Sequence, residues 1–139
     1  MIEFHYKADF DLEEPQRYVD WIERVLSSEA FVCGDIDYIF CSDEFLLNLN
    51  QEYLNHDTFT DIITFDYTDA NLISGDIFIS VDRIKENAAK FDVAFKNELK
   101  RVMAHGVLHL MGYKDKGTDE AKVMRQKEEE KIKLFHVEP

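Results

Sequence analysis

The segment His105-Gly-Val-Leu-His109-Leu-Met-Gly112-Tyr-Lys-Asp115 constrains this chain more than any other feature. A helix brings residues i and i+4 onto one face, with Cβ atoms roughly 5–6 Å apart, so the two histidines can hold one metal ion. Gly112 can end that helix in a left-handed conformation that other residues adopt only at a cost. The chain can then turn back and present Asp115 as a third ligand. Three protein ligands leave a position open for water, which is typical of a catalytic zinc site.

Each of these residues taken alone has a plainer interpretation. A single histidine on an apolar helix is more often a core or surface residue than a ligand, and Leu108, Leu110 and Met111 fit a core face. Asp115 alone could be a solvated loop carboxylate. The combination of two histidines at ligand spacing, a glycine stop and a carboxylate within reach is what indicates metal binding.

The length and composition predict one globular domain over residues 1–139, long enough to bury a core. No apolar run approaches the roughly 18 residues that span a bilayer, and the first residues lack the pattern of a signal peptide, so no membrane association is expected. Cys33 and Cys41 lie eight residues apart in one predicted extended segment, where they cannot bond to each other. These features favour a reduced, cytoplasmic setting.

The formal net charge of −13 limits the ways in which this chain can meet nucleic acid. Proteins that bind nucleic acid without sequence preference usually carry a basic face, whereas this chain as a whole repels phosphate at long range. Any role on RNA would need a local basic patch, a bound cation, or a partner that delivers the substrate.

The hydrophobic pattern predicts the element order β-α-β-α-β-β-α-α-α, and hence an α+β fold with one mixed sheet of about four strands packed with helices. The strands are expected over residues 2–6, 36–40, 61–65 and 73–80, with a hairpin between the last two. The helices are expected from residue 15, from residue 42, and over 82–91, 94–111 and 118–135. The metal-site helix is thus near the C-terminus. The Lys- and Glu-rich last helix is interpreted as a solvated face with i,i+4 pairs.

The metal motif and two blocks upstream of it resemble the YbeY family. The family pattern H-G-x-L-H-L-x-G-Y-D-H fits residues 105–115 at all positions except the last two. The family stretches L-N-x-x-Y-R and T-D/N-V-L-S-F correspond to Leu49-Asn-Gln-Glu-Tyr-Leu54 and Thr60-Asp-Ile-Ile-Thr-Phe65. A G-D-I element follows in the family, and Gly75-Asp-Ile77 matches it.

This resemblance implies a zinc-dependent, single-strand-specific endoribonuclease in late 16S ribosomal RNA maturation and ribosome quality control. It assigns one zinc ion per chain to His105, His109 and Asp115. It also implies ribosomal RNA and the small ribosomal subunit as partners, together with ribosomal or assembly proteins.

Two positions depart from the family pattern. Asp115 stands where the family has histidine; carboxylate is an accepted zinc ligand, and its negative charge should make a bound water less acidic. Leu54 stands where the family has an arginine that is thought to serve RNA, and leucine can neither bind phosphate nor stabilise transition-state charge. His56, two residues later, could contact phosphate if it faces the groove, although an exposed loop histidine is the plainer interpretation.

The group that moves the proton is not apparent in the motif. Gly106 occupies the position where zinc proteases of the H-E-x-x-H kind place their catalytic glutamate, which argues against a peptidase. Asp61 and Asp76 are candidates only if their side chains face the metal. The plainer interpretation of each is a strand-end or turn carboxylate, or a hydrogen-bond partner that orients a ligand histidine. The alternatives are a metallohydrolase with another substrate and a non-enzymatic, zinc-stabilised ribosome-assembly factor.

Overall fold

The computed structural model describes residues 1–55 and 59–136. The four strands are β1 (Ile2–Tyr6), β2 (Val32–Cys41), β3 (Ile62–Asp66) and β4 (Leu72–Ser80). The five α-helices are α1 (Pro15–Ser27), α2 (Asp43–Leu54), α3 (Val81–Phe91), α4 (Phe95–Leu110) and α5 (Thr118–Ile132), and a short 3-10 helix (Lys133–His136) follows.

The predicted element order and the α+β class are confirmed. Local signals explain the helix starts: Pro15 opens α1 with a backbone angle already suited to a helix. The side chain of Ser42 accepts a hydrogen bond from the backbone N–H of Phe45 and caps α2. The main difference is in β2, which begins four residues earlier than the predicted 36–40 strand.

The sheet is mixed, with the strand order β1-β2-β4-β3. β1, β2 and β4 run parallel, and β3 forms an antiparallel hairpin with β4 at the edge. Residue Tyr38 of β2 lies opposite Ile77 of β4, and the next pair is Ile39 with Phe78. Because successive side chains of a strand point to opposite faces, these pairs mark the two faces of the sheet.

One face of the sheet carries the main core. Buried side chains of β2 and β4 pack there with residues of α1 and α4, among them Trp21, Ile22, Tyr38, Phe40, Ile77, Val102 and Val107. The opposite face is covered in part by α2, where Leu46 packs with Cys41 and Ile63 in a smaller cluster. The helix that carries both histidines, α4, therefore lies on the main-core face of the sheet.

Gly106 lets α4 approach the sheet closely. A β-carbon at this position would lie 2.8 Å from Cγ2 of Ile77 and 2.9 Å from Cδ1 of Ile62, closer than ordinary contact allows. The buried hydroxyl of Tyr38 donates a hydrogen bond of 2.9 Å to the carbonyl oxygen of Met103, which anchors the same helix. The sheet thus fixes the position of the helix that bears both histidines.

The interpretation of the last helix as a solvated face is wrong for two of its charged residues. Glu128 and Lys131 are both 3% exposed, because α5 packs along α4 and reaches back towards α1. The α-helix also ends at Ile132, before the predicted residue 135, and the 3-10 helix begins at Lys133. The repeated Lys and Glu residues of α5 gave no sign that one of them, Glu128, is buried in a polar contact.

Cys33 and Cys41 lie within β2 and are free thiols, as their spacing predicted. Across the two described ranges, no helix combines the length and the apolar character that crossing a bilayer requires.

Candidate metal centre

The last turns of α4 place His105 and His109 side by side. Their Nε2 atoms are 2.9 Å apart, and their side chains are 15% and 25% exposed. The i,i+4 spacing accounts for this arrangement, as the sequence predicted. The two imidazoles are therefore largely, but not completely, sheltered from solvent.

The loop after α4 returns a carboxylate to these imidazoles. Gly112 has φ +103°, a conformation that favours glycine, and the backbone N–H of Tyr113 donates to the carbonyl oxygen of Leu108 to close the helix end. Oδ2 of Asp115 then lies 3.2 Å from Nε2 of His105 and 3.6 Å from Nε2 of His109. The ligand atoms of His105, His109 and Asp115 all lie within 4.8 Å of one another.

The outer ring nitrogen of each histidine meets an oxygen acceptor. Nδ1 of His109 lies 2.9 Å from the carbonyl oxygen of Tyr113, and Nδ1 of His105 lies 2.5 Å from Oε2 of Glu128. A carbonyl or carboxylate oxygen only accepts hydrogen bonds, so both contacts favour the tautomer with its proton on Nδ1. Each Nε2 therefore presents a lone pair towards the centre of the site.

This donor set fits a cation. Two unprotonated Nε2 atoms at 2.9 Å repel each other, and an ion between them turns that repulsion into two bonds. Tetrahedral zinc with bonds of about 2.0–2.1 Å would hold its ligands roughly 3.3 Å apart, close to the three distances observed here. Burial and the neighbouring His105 lower the pKa of His109 and favour the neutral imidazole that a metal needs.

A second group of potential ligand atoms differs in character. Within the described ranges, Glu3, His5 and Asp37 also bring three such atoms together on β1 and β2, but Glu3 and His5 are exposed and Asp37 is only half-buried. Nε2 of His5 lies 2.7 Å from Oδ1 of Asp37, so the nitrogen that would bind a metal is already hydrogen-bonded. Such exposed acidic groups are common without an ion.

Asp61 lies on the side of the sheet that faces α4. Its Oδ2 is 3.6 Å from Nη2 of Arg101, and its side chain is 25% exposed. Burial raises the pKa of the Asp61 carboxyl, while Arg101 and His105 act in the opposite direction. Asp61 is therefore close enough to His105 for electrostatic influence and remains a candidate for proton transfer.

Asp76 lies on the wrong face of the sheet for that role. Its neighbours in β4, Gly75 and Ile77, point to α4, so Asp76 points to the opposite face and lies beside Asp37 in the register. The hydroxyl of Tyr67 donates a hydrogen bond of 3.3 Å to Asp76 Oδ2. The expectation that Asp76 could serve the metal is thus contradicted by the alternation of the strand.

The remaining sequence candidates are placed as follows. Leu54 is the last residue of α2 and is 42% exposed. His56 lies outside the described residues. Gly106 faces the sheet, where no side chain has room, so a protease-like glutamate could not occupy that position without displacing α4.

Glu128 is the residue of this site that sequence reasoning missed. It lies 23 positions after His105, inside the charged stretch of α5. Its neighbour Met124 is also buried, and the i,i+4 spacing of an apolar residue and a carboxylate offered a weak signal that position 128 faces the core.

Comparison with known proteins gives one consistent result. A family model described as Endoribonuclease YbeY matches residues 3–136. Relatives named Endoribonuclease YbeY include one from Flavobacterium johnsoniae, 57% identical over 138 residues with 99% of both chains covered. Another, from Cytophaga hutchinsonii, is 46% identical over 134 residues, with 94% of each chain covered. The solution structure of a Thermotoga maritima protein, 26% identical, superposes with a TM-score of 0.65 over 97% of this chain and 89% of that chain.

Proposed function

The chain belongs to the endoribonuclease YbeY family, and from that premise we propose that it is a zinc-dependent endoribonuclease acting on single-stranded RNA. Its role would be in late 16S ribosomal RNA maturation and ribosome quality control in the cytoplasm. The observation that carries the proposal is the convergence of two Nε2 lone pairs and one carboxylate oxygen at the end of α4.

In this proposal His105, His109 and Asp115 hold one zinc ion per chain. The ion, when bound, supplies Lewis acidity to a phosphoryl oxygen or lowers the pKa of a water molecule towards roughly 7. The protein residues orient the two imidazoles and favour the tautomer in which Nε2 faces the ion, through the acceptors at their Nδ1 atoms. Asp115 adds a negative charge, so the water should be less acidic here than with a third histidine.

Asp61 is the proposed group for moving the proton. A carboxyl with a raised pKa is better suited to take up a proton near neutral pH than an exposed one. Arg101, beside it, acts against burial and lowers the pKa of that carboxyl.

The substrate has to reach an acidic protein. The net charge of −13 repels RNA at a distance, and Leu54 supplies no cation at the family's arginine position. The bound zinc ion would provide positive charge locally. Delivery by the small ribosomal subunit, or by ribosomal and assembly proteins bound to it, would provide the rest.

The test is to purify the full chain, measure its zinc content, and follow cleavage of a 16S ribosomal RNA precursor. We expect about one zinc ion per chain, and loss of both zinc and cleavage in His109→Ala. His5→Ala is the matched control, because His5 is exposed and belongs to the group on β1 and β2. It should keep both properties.

Three results would count against parts of the proposal. Zinc without cleavage, together with binding to small-subunit particles, would favour a non-enzymatic assembly factor. Zinc with hydrolysis of a different substrate would favour another metallohydrolase. A carefully prepared wild-type protein that retains no metal would contradict the site itself.

A further inference from the structure

We infer that Glu128 is a positioning residue that holds His105 in the tautomer that binds metal. The inference rests on the proposed metal centre, and it assigns a function to a residue of α5 that the metal motif does not include. Glu128 is 3% exposed, and its Oε2 lies 2.5 Å from Nδ1 of His105. An ionised carboxylate accepts only, so the His105 proton is fixed at Nδ1.

The second oxygen of Glu128 is also held. Arg101, one helical turn before His105, donates through Nη1 to Oε1 of Glu128 at 3.3 Å. The same guanidinium makes two hydrogen bonds to Glu98, of 2.9 Å from Nε and 2.7 Å from Nη2. Both oxygens of Glu128 therefore have partners, which fixes the direction in which the carboxylate meets the imidazole.

Charge explains why the arginine is needed. Glu98 and Glu128 are both nearly inaccessible to water, and a buried carboxylate without a partner is strongly destabilising. Arg101 offsets that cost for both carboxylates, because it donates hydrogen bonds to each of them. An ionised partner is a stronger acceptor than a neutral one, so it raises the basicity of the ring nitrogen that faces the metal.

Packing alone does not call for this arrangement. An apolar side chain at position 128 could fill the contact between α4 and α5, as Met124 does one turn earlier, without burying a charge. His109 offers a comparison within the same site, since its Nδ1 meets the neutral carbonyl of Tyr113. The presence of a carboxylate at position 128 is therefore better explained by its contact with His105 than by the packing of α5 against α4.

The experiment compares Glu128→Gln and Glu128→Leu with Glu129→Gln in the full chain. Glu129 is the adjacent, exposed residue of α5 and is the matched control. Zinc affinity is measured by competition with a chromophoric chelator. We expect Glu128→Leu to bind zinc roughly 10- to 100-fold more weakly, Glu128→Gln less so because its amide oxygen still accepts, and Glu129→Gln like wild type.

A second readout does not depend on metal. Histidine nitrogen–proton correlation spectra of the metal-free protein, at alkaline pH where both imidazoles are neutral, report which ring nitrogen carries the proton. We expect His105 to be protonated at Nδ1 in wild type and to shift towards Nε2 in Glu128→Leu, while His109 keeps its Nδ1 proton. A helix-packing role alone would not move this signal selectively.

The outcomes separate the two claims. Wild type that binds zinc tightly, with Glu128→Gln and Glu128→Leu equal to Glu129→Gln in both affinity and tautomer, overturns the role of Glu128 and leaves the metal centre intact. Wild type no tighter than His105→Ala refutes the metal centre, and the tautomer of His105 still decides on Glu128. If Glu128→Leu does not fold, Glu128→Gln, which is isosteric, gives the decision.

Discussion

The carbonyl oxygen of Tyr113 lies 2.9 Å from Nδ1 of His109, so the loop that supplies the third ligand also orients one of the first two. The hydroxyl of the same residue donates a hydrogen bond to Oε1 of Glu29, in the turn that follows α1. Tyr113 thus links the candidate metal centre to the turn that follows α1.

Replacement of Asp115 tests the third ligand. Asp115→His should retain zinc more strongly than wild type, because a neutral imidazole restores the family pattern and has a longer reach. Asp115→Ala should lose more affinity than the roughly 10- to 100-fold that loss of an outer partner costs. Both are measured by chelator competition, with Asp119→Ala, an exposed carboxylate of α5, as control. Undiminished zinc retention in Asp115→Ala would show that this residue is not a ligand.

Leu54→Arg tests the second departure from the family. The exposed end of α2 can accommodate a longer side chain, and an arginine there could bind an RNA phosphate. We expect cleavage of single-stranded RNA to rise about tenfold, which corresponds to one hydrogen bond to a charged group of about 1.5 kcal/mol. Zinc content should not change. Leu54→Gln removes the leucine without adding charge, and an equal gain in that variant would argue against a phosphate contact.

Gly106→Ala tests the close approach of α4 to the sheet. Alanine favours a helix by about 0.8–1.0 kcal/mol over glycine. Its methyl group would nevertheless press on Ile62 and Ile77, and overpacking of a core costs about 1–3 kcal/mol. We expect a net loss of stability in urea unfolding of the metal-free protein. A more stable variant would mean that the two isoleucines move aside without cost.

Glu29→Gln tests the acid dependence of stability. Burial alone would raise the pKa of Glu29, but hydrogen bonds from Lys131, Tyr113 and Lys127 outweigh it and lower the pKa to about 2. Since the folded-state pKa lies below the ordinary value of 4.5, the stabilisation is present above that value and is lost as the pH falls towards 2.

Glu29→Gln should therefore reduce the free energy of unfolding at pH 7 by about 1–3 kcal/mol, and the difference from wild type should shrink at lower pH. Urea unfolding at several pH values gives the measurement. Glu13→Gln is the control, because the ion pair of Glu13 with Lys96 is exposed to solvent and should contribute little. A difference that is independent of pH would show that Glu29 does not act through its charge.

The sequence was sufficient for features that depend on local spacing. The i,i+4 histidines, the glycine after them and the carboxylate three residues later lie close together in the chain, and short-range geometry brings them together. The element order followed from hydrophobic periodicity in the same way. The sequence also allowed a prediction of the sheet face on which Asp76 lies. Ile73, Ile77 and Ile79 mark the core side of β4, and Asp76 alternates with them.

Features that depend on long-range packing were not predictable. The strand order places β4 between β2 and β3, and nothing in the local pattern of these strands determines that choice. Glu128 reaches His105 only because α5 packs along α4. Its neighbours in sequence are Lys and Glu residues, which make position 128 look like part of a solvated face.

The helix and the loop that supply the metal ligands differ in how well they tolerate substitution. The histidines belong to a helix that the sheet, α5 and a glycine contact hold in place, whereas Asp115 belongs to a short loop that begins at Gly112 with open space around it. A substitution in the helix disturbs the core, but the loop can exchange its ligand without disturbing the fold. Two ligands of the centre are thus tied to the core of the fold, whereas the third can be exchanged separately from it.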